Sequence, residues 1–377
     1  MFPKNHIENG IRAASELGSL IINQRGKDQK FEGNFVVNGK LVFAERDKEN
    51  NSFIRVYSTS GELLREVQVD FTKYRKLFKE DKDRDRFKPT HKYANPLING
   101  IVLLNNGRLI FNIEYEGMVC LDKNDSILWT RGIFTHHSIN MGLDSSIWVC
   151  GGNFFEKSAF KEECWGDENI INLTLQNGEI IKKWSIRELF LSNGKSGHAF
   201  PNSKNIWDPF HINDVEPYTL SDSAGLFSKD DILISVKNLH MVLVLNIAKN
   251  KITHLLQGGF QSQHDPDFLS GNEVSIFDNC FTSNPTLKQR SSRVVKLDVN
   301  SDHYSTIFHK SDSGESNFTN WMGRQQSIND SLLLVTYSVP GQAILVNLKN
   351  NQILWKHNNL SDKGRPQWIY DCIYYPN

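Results

Sequence analysis

Short apolar runs punctuate the chain, each released by a turn of Asn, Asp, Gly or Ser into a second run that often ends near Trp. Phe53-Ile54-Arg55-Val56-Tyr57 turns at Ser60-Gly61 into Leu63-Leu64, and Met118-Val119-Cys120-Leu121 turns at Asn124-Asp125 into Ile127-Leu128-Trp129. Ile170-Ile171-Asn172-Leu173 turns at Asn177-Gly178 into Ile180-Ile181, and residues 241–252, 293–304 and 343–355 repeat the pattern. Asn-Gly and its relatives tolerate the positive φ angles of tight turns, so each unit predicts an outer β-hairpin. Upstream of every hairpin stand a turn and one compact apolar strand, as in Asn38-Gly39 before Leu41-Val42-Phe43 and Asn106-Gly107 before Leu109-Ile110-Phe111. Turn, strand and hairpin make about four strands per unit, and six units fill residues ~33–357, the arithmetic of a six-bladed β-propeller with four-stranded antiparallel blades.

The expected organisation is a lead-in over residues 1–32 and a single all-β propeller over residues 33–377. In the lead-in, Ile11, Leu17, Leu20 and Ile21 lie near helical spacing and predict a short N-terminal helical segment. Two stretches break the repeat. Residues 71–93 include Lys79-Glu80-Asp81-Lys82-Asp83-Arg84-Asp85-Arg86, whose mixed charges fit a solvated helix or loop. Residues 187–210, with Gly194, Gly197, His198 and Pro201, read as a long loop that delivers the chain to His211. Loops on a rigid scaffold commonly build its pocket.

Composition narrows the function classes. Lys plus Arg equals Asp plus Glu at 43 each, so no net field draws nucleic acid or an anionic membrane surface. No run reaches the ~18 consecutive apolar residues of a membrane span, and the N-terminus lacks the sections of a signal peptide, so the chain reads as soluble. The five cysteines form no C-x-x-C pair, which argues against a zinc knuckle or redox motif. Cys150 and Cys164 are the pair close enough to suggest a loop disulfide.

Candidate chemistry sits in three segments: Thr135-His136-His137-Ser138-Ile139-Asn140, Trp207-Asp208-Pro209-Phe210-His211-Ile212-Asn213-Asp214 and Gln261-Ser262-Gln263-His264-Asp265-Pro266-Asp267-Phe268. Each places a histidine just before an apolar run. In a propeller the first strand of each blade lines the centre, so His137, His211 and His264 open the third, fourth and fifth blades and are expected to converge. Arg324, Gln325 and Gln326 hold the corresponding place in the sixth. Three histidines can hold a catalytic metal. No H-x-H or H-E-x-x-H spacing supports that here.

These segments, with Ile232-Leu233-Ile234-Ser235-Val236-Lys237-Asn238-Leu239-His240 and Ser275-Ile276-Phe277-Asp278-Asn279, resemble the bacterial arylsulfotransferases over roughly residues 95–357. That family uses aryl sulfate esters as donors, not a nucleotide sulfate. The resemblance implies ping-pong transfer to a phenolic acceptor, with no cofactor and with small-molecule aryl sulfate and phenol partners. It makes His264 the residue that is transiently sulfated, with Asp265 beside it as an orienting group, and His211 a second essential histidine with Asn213 beside it. His137 or its neighbour His136 is the third. The family places an arginine where this chain has Lys237, which keeps the charge but loses the bidentate guanidinium grip on an oxyanion. Trp207, Phe210 and Phe268 are expected to wall the aryl ring, and Gln326 to contact substrate.

Larger family members dimerise through an extra N-terminal β domain, so a monomer is expected here. They are usually exported, so the expected location is the periplasm if an export segment is missing from this chain and the cytoplasm otherwise. Two other classes remain: a non-catalytic propeller that binds or scaffolds, and a metal-dependent hydrolase or lyase using the three histidines.

Overall fold

Each apolar run becomes a strand, and neighbouring runs pair antiparallel. The structure, a computed structural model, describes residues 31–81, 97–153, 166–201, 208–221, 224–280, 291–309 and 318–377. Blade 1 joins Ile369–Pro376, Gly39–Arg46, Ser52–Ser58 and Leu63–Gln68 in that order. Blade 2 is Ile101–Leu103, Leu109–Ile113, Gly117–Leu121 and Ile127–Arg131, and blade 3 is Thr135–Met141, Ser146–Asn153, Asp167–Thr174 and Ile180–Ser185. Blade 4 is Ile212–Pro217, Asp231–Val236, Met241–Asn246 and Lys251–Gln257, and blade 5 is His264–Phe268, Glu273–Asp278, Arg293–Asp298 and His303–Phe308. Blade 6 is Arg324–Asn329, Leu332–Tyr337, Gln342–Asn347 and Gln352–Asn358, with Phe31–Gly33 added as a fifth strand. The fold class is an all-β, six-bladed β-propeller.

Contacts divide the described chain into two compact units: residues up to 69, 279–294 and from 306 onward, and residues 70–278 with 295–305. In the first unit, Leu41, Phe43, Tyr57, Leu334, Leu345, Trp355 and Tyr374 share a core. Phe31 stacks on Trp355 at 5.5 Å, which binds the short strand Phe31–Gly33 to blade 6. Blade 1 takes its first strand from residues 369–376, beyond the stretch that the repeat arithmetic covered; Phe43 pairs there with Cys372. Glu45 sits buried between Arg55, whose Nη1 donates at 2.5 Å, and His357 at 3.4 Å. Burial works to raise the Glu45 carboxyl, but the hydrogen bond and charge of His357, with Arg55, hold it below the ordinary carboxylate value.

The second unit carries helices in both stretches that break the repeat. Phe71–Glu80 is an α-helix whose Phe71, Tyr74 and Phe78 are buried, so its face is docked rather than solvated. Tyr74 meets Phe111 of blade 2 edge-on at 5.7 Å, and Gly117 takes φ +157 where a Cβ would lie 2.2 Å from the Arg131 carbonyl oxygen. Asp70 caps this helix, accepting from the backbone N–H of Thr72 at 2.9 Å and Lys73 at 3.1 Å. We expect Asp70→Ala to lower stability by about 1 kcal/mol in a denaturant melt, the usual cost of a lost N-cap. An unchanged midpoint would mean that docking, not the cap, sets the helix start.

The expected long loop at 187–210 instead begins with the helix Ile186–Ser192, which buries Ile186, Leu189 and Phe190, and continues into the short helix Ser196–Ala199. Ser185 Oγ accepts the Glu188 N–H at 3.0 Å, so a Ser-x-x-Glu start was present in the sequence. The charged residues 82–93, the N-terminal helix and Cys164 lie outside the described residues. Cys150 is a buried free thiol, and Cys164, the partner that the sequence suggested for it, is not among the described residues. Among the described residues no helix is long and apolar enough to cross a membrane.

Candidate active site

The first strands of blades 3, 4 and 5, all within the second unit, begin irregularly, and a histidine stands at each irregularity. In blade 3, His136 pairs with Cys150 and Ile139 with Val149, so His137 and Ser138 bulge out, with His137 at φ +57. In blade 4, Ile212 pairs with Val236 and Asp214 with Ser235, leaving Asn213 as the extra residue, two positions after His211 at φ +53. In blade 5, His264 pairs with Phe277 and Pro266 with Ile276, and the bulged Asp265 takes φ +49. A non-glycine residue held at positive φ costs about 1–3 kcal/mol and persists only where its surroundings enforce it. Bulges re-aim side chains, and here three imidazoles meet. The ring centroid of His137 is 5.0 Å from that of His211 and 6.1 Å from that of His264.

A relay of asparagines holds these strands to one another. Asn112 donates to the His137 carbonyl at 2.8 Å, Asn140 to Asp214 Oδ1 at 3.0 Å and to the Val215 carbonyl at 3.1 Å, and Asn213 to the Gln263 carbonyl at 2.8 Å. Gly100 is needed beside the first of these, because a Cβ there would stand 2.6 Å from the His137 carbonyl oxygen. Gln263 is fully enclosed and donates to the Met241 carbonyl at 2.8 Å and Ser235 Oγ at 3.1 Å. Backbone position next to His264 is thereby fixed from two sides.

Electrostatics distinguishes the histidines. His211 Nδ1 lies 2.5 Å from Asp208 Oδ2, so one ring nitrogen is committed to a carboxylate and the other is left for chemistry. Burial works to raise the Asp208 carboxyl, but the charge and hydrogen bond of His211, then Lys237 and His136, hold it below its ordinary value. Burial, and then the neighbouring His136, His211, His264 and Lys237, push the His137 pKa well down. His137 is therefore a neutral ring. Its Nδ1 shares a 2.8 Å hydrogen bond with His136 Nδ1, and His136 Nε2 lies 3.5 Å from Glu168 Oε1. Burial, reinforced by His211, brings His136 down to about 3.

Lys237 opens a 3-10 turn, Lys237–Leu239, directly after the second strand of blade 4, and its backbone N–H donates to the His211 carbonyl at 3.0 Å. That bond pins the lysine beside the cluster. Burial lowers the ammonium pKa while Asp208 and Glu168 oppose the shift. The same turn ends in His240 at φ +49, whose Nδ1 accepts the Ser262 N–H at 3.0 Å. Glu114, carried on the turn after Ile113, accepts from Asn99 Nδ2 at 3.2 Å, and burial raises its carboxyl to about 7.

The structure thus brings His136, His137, His211, His264 and Lys237 into one site, with Asn213 and Asp265 as the bulged residues of its strands. Asn213 turns its amide nitrogen to the Gln263 carbonyl and so ties the His211 strand to the His264 strand. Phe210 is fully buried in the core beside Phe190, with the Arg187 guanidinium 5.5 Å from its ring, and offers no wall to a substrate. Phe268 likewise packs in a core with Tyr218 and Phe227. Trp207 lies outside the described residues. Gln326 belongs to the first unit, where its Nε2 donates to the Tyr374 carbonyl at 3.0 Å and its Oε1 accepts the Tyr374 N–H at 2.8 Å. Both ends of that amide are taken by backbone.

Asp208 and Glu168 are the members that sequence reasoning missed. Asp208 had a signal, since Asp-Pro-Phe-His returns a carboxylate to a histidine three residues later across a proline turn. Glu168 had none, because it arrives from the third strand of the preceding blade. Among the described residues no group of His, Cys, Asp or Glu is arranged to hold a metal ion.

Comparison with known proteins agrees with the geometry. A family model described as arylsulfotransferase (ASST) matches residues 100–360. No curated protein matches the chain in sequence. Among solved structures, a protein of unknown function from Bacteroides caccae is similar at a TM-score of 0.55 and 10% identity, covering 90% of this chain and 100% of that one. The Neurospora crassa Pan2 WD40 domain is similar at a TM-score of 0.46 and 10% identity, covering 92% of this chain and 94% of that one. At such identities the first likeness speaks to fold alone and the second carries no argument. The family match spans well over half of the sequence and includes all three bulged strands; the chain belongs to the arylsulfotransferase family.

Proposed function

We propose that this protein transfers a sulfuryl group from an aryl sulfate ester to a phenol, in two displacements through a sulfated His264. The observation that carries this reading is the convergence of His137, His211 and His264 with Asp208 seated on one nitrogen of His211. In the first displacement an unprotonated ring nitrogen of His264 attacks sulfur. The N–S bond forms as the aryl S–O bond breaks, and the leaving phenolate oxygen takes a proton from His211. In the second, the acceptor phenol gives its proton to His211 while its oxygen attacks sulfur and the N–S bond breaks. Asp208 orients His211 and stabilises its protonated form, which stands before the first displacement and again after the second.

Charge on the sulfuryl oxygens is the electrostatic problem of both displacements, and Lys237 is the cation that answers it. Lys237→Ala is expected to lose about 2–4 kcal/mol of transition-state stabilisation, read as kcat/KM, while Lys237→Arg keeps or raises the rate. A Lys237→Ala variant as fast as the parent would remove lysine from the mechanism.

The test of the reading as a whole is sulfate transfer from 4-nitrophenyl sulfate to a second phenol, with and without chelator. Transfer that ignores chelator supports it. Chelator-sensitive hydrolysis with no transfer would move the assignment to metal chemistry, and binding without turnover to a non-catalytic propeller.

A further inference from the structure

Resting on the sulfuryl-transfer reading above, we propose that Glu114 makes the site selective for phenols, and their sulfate esters, that carry an ammonium group. The carboxylate pairs with the ammonium while the phenolic end meets the histidines. Two blades correspond here. Glu114 follows the second strand of blade 2 as Lys237 follows that of blade 4, and its backbone N–H donates to the Leu97 carbonyl at 2.9 Å, as that of Lys237 donates to the His211 carbonyl at 3.0 Å. One turn position thus supplies a cation in blade 4 and a carboxyl in blade 2. Beyond burial, which dominates, the charge of Asp208 acts on both groups, so both stand near the Asp208–His211 pair.

The turn is pinned against the histidines. Tyr115, at φ +60, donates its N–H at 2.7 Å to the carbonyl of Thr135, the residue before His136. Its ring stacks on Phe134 at 5.0 Å and lies 5.6 Å from His136, and the row of rings continues to His137 and then His264 in steps of 5.0 and 6.1 Å. Glu116, the other carboxylate of the turn, is taken by Arg75 at 2.8 Å. Glu114 is not. It accepts from Asn99 Nδ2 at 3.2 Å and hydrogen-bonds Tyr115, and among the described residues no cation pairs with it. Asn99 is buried beside it, and its Oδ1 has no hydrogen-bond partner among the described residues. The pair therefore presents acceptors that lack a donor, the complement of an ammonium, which only donates. Glu114 keeps part of its surface exposed, so a ligand can reach it. Burial raises its carboxyl to about 7 against the Asn99 and Tyr115 hydrogen bonds, and an ammonium alongside would draw it back toward the ordinary carboxylate value.

The experiment uses the full chain, 4-nitrophenyl sulfate as donor, and two pairs of acceptors matched in shape and different in charge. These are 4-(aminomethyl)phenol against 4-(hydroxymethyl)phenol, and 4-(2-aminoethyl)phenol against 4-(2-hydroxyethyl)phenol. At about pH 8 the amines are charged and Glu114 is mostly ionised. The parent should favour the amine of at least one pair by about tenfold in kcat/KM, the worth of one hydrogen bond to a charged group. Glu114→Gln keeps an oxygen for Asn99 and loses the charge, so the ratio should fall to about one. Should that variant fail to fold, Glu114→Ala carries the same expectation. A parent with no preference in either pair, or a preference that survives removal of the carboxylate, overturns the proposal while sulfate transfer stands. A parent that transfers sulfate to none of the four phenols retires the proposed function instead. Titration calorimetry with the same phenols then decides: tighter binding of an amine by the parent, lost in Glu114→Gln, keeps the proposal, and equal binding overturns it.

Discussion

Mixing the protein with an aryl sulfate and no acceptor should release about one phenol per active site in a burst and then stop, because a two-displacement route parks the sulfuryl group on the enzyme. The peptide containing His264 should gain about 80 Da, the mass of one sulfuryl group on the covalent nucleophile. His264→Ala should abolish the burst, the added mass and turnover together. This is the largest effect expected of any single change, because without that ring the covalent intermediate has no nucleophile to form on. Added mass on His137 or His211 would move the nucleophile. A burst that survives His264→Ala would end the assignment.

His211→Ala should act differently. The sulfated intermediate still forms, but each displacement slows by roughly 10²–10⁴-fold through lost proton transfer. The dependence on leaving group is the diagnostic. A 4-nitrophenolate leaves without a proton more readily than an unsubstituted phenolate, so the variant's deficit should be smaller with the nitrophenyl donor. Asp208→Asn should show the same pattern in weaker form, because the 2.5 Å partner of His211 Nδ1 keeps its shape and loses its charge. A deficit independent of the donor would make His211 a structural residue.

The blades were legible because turn chemistry and strand length recur along the chain in one phase; Asn106-Gly107 and Asn177-Gly178 mark the turns where they fall. The first strand of blade 1 was not, since its residues 369–376 lie about 300 positions from their partner and no local pattern links them. The three histidines stood out for a physical reason: each occupies a place where apolar alternation should already have started, which is what a bulge does to a sequence. Choosing between His136 and His137 needed coordinates. A two-residue bulge decides which ring turns toward His211, and adjacent identical residues carry no trace of it.

Two of the three aromatic residues expected at the aryl ring, Phe210 and Phe268, pack in core clusters. Phe210 and Phe268 are neighbours of site residues in sequence, but on strands and turns that alternate sides, proximity along the chain puts a side chain in the core as readily as in a pocket. Gln326 shows a further limit. Its amide matches a Tyr374 backbone N–H and carbonyl pair, and a side chain that completes another strand's hydrogen bonds reads in sequence like one that awaits a ligand.

Order of synthesis gives the split of blade 1 a meaning. The strands Gly39–Arg46, Ser52–Ser58 and Leu63–Gln68 leave the ribosome early, whereas Ile369–Pro376 follows about 300 residues later, roughly 15–60 s at 5–20 residues per second. Throughout that interval one edge of Gly39–Arg46, with Leu41, Val42 and Phe43, has no partner strand, which is the condition in which edges recruit other chains. His136, His137, His211 and His264 all lie between residues 70 and 278, in a stretch whose contacts are mostly internal. A nascent chain halted short of residue 369 therefore holds a histidine cluster that can already assemble, together with a first sheet that cannot, and its hazard is aggregation rather than a missing active site.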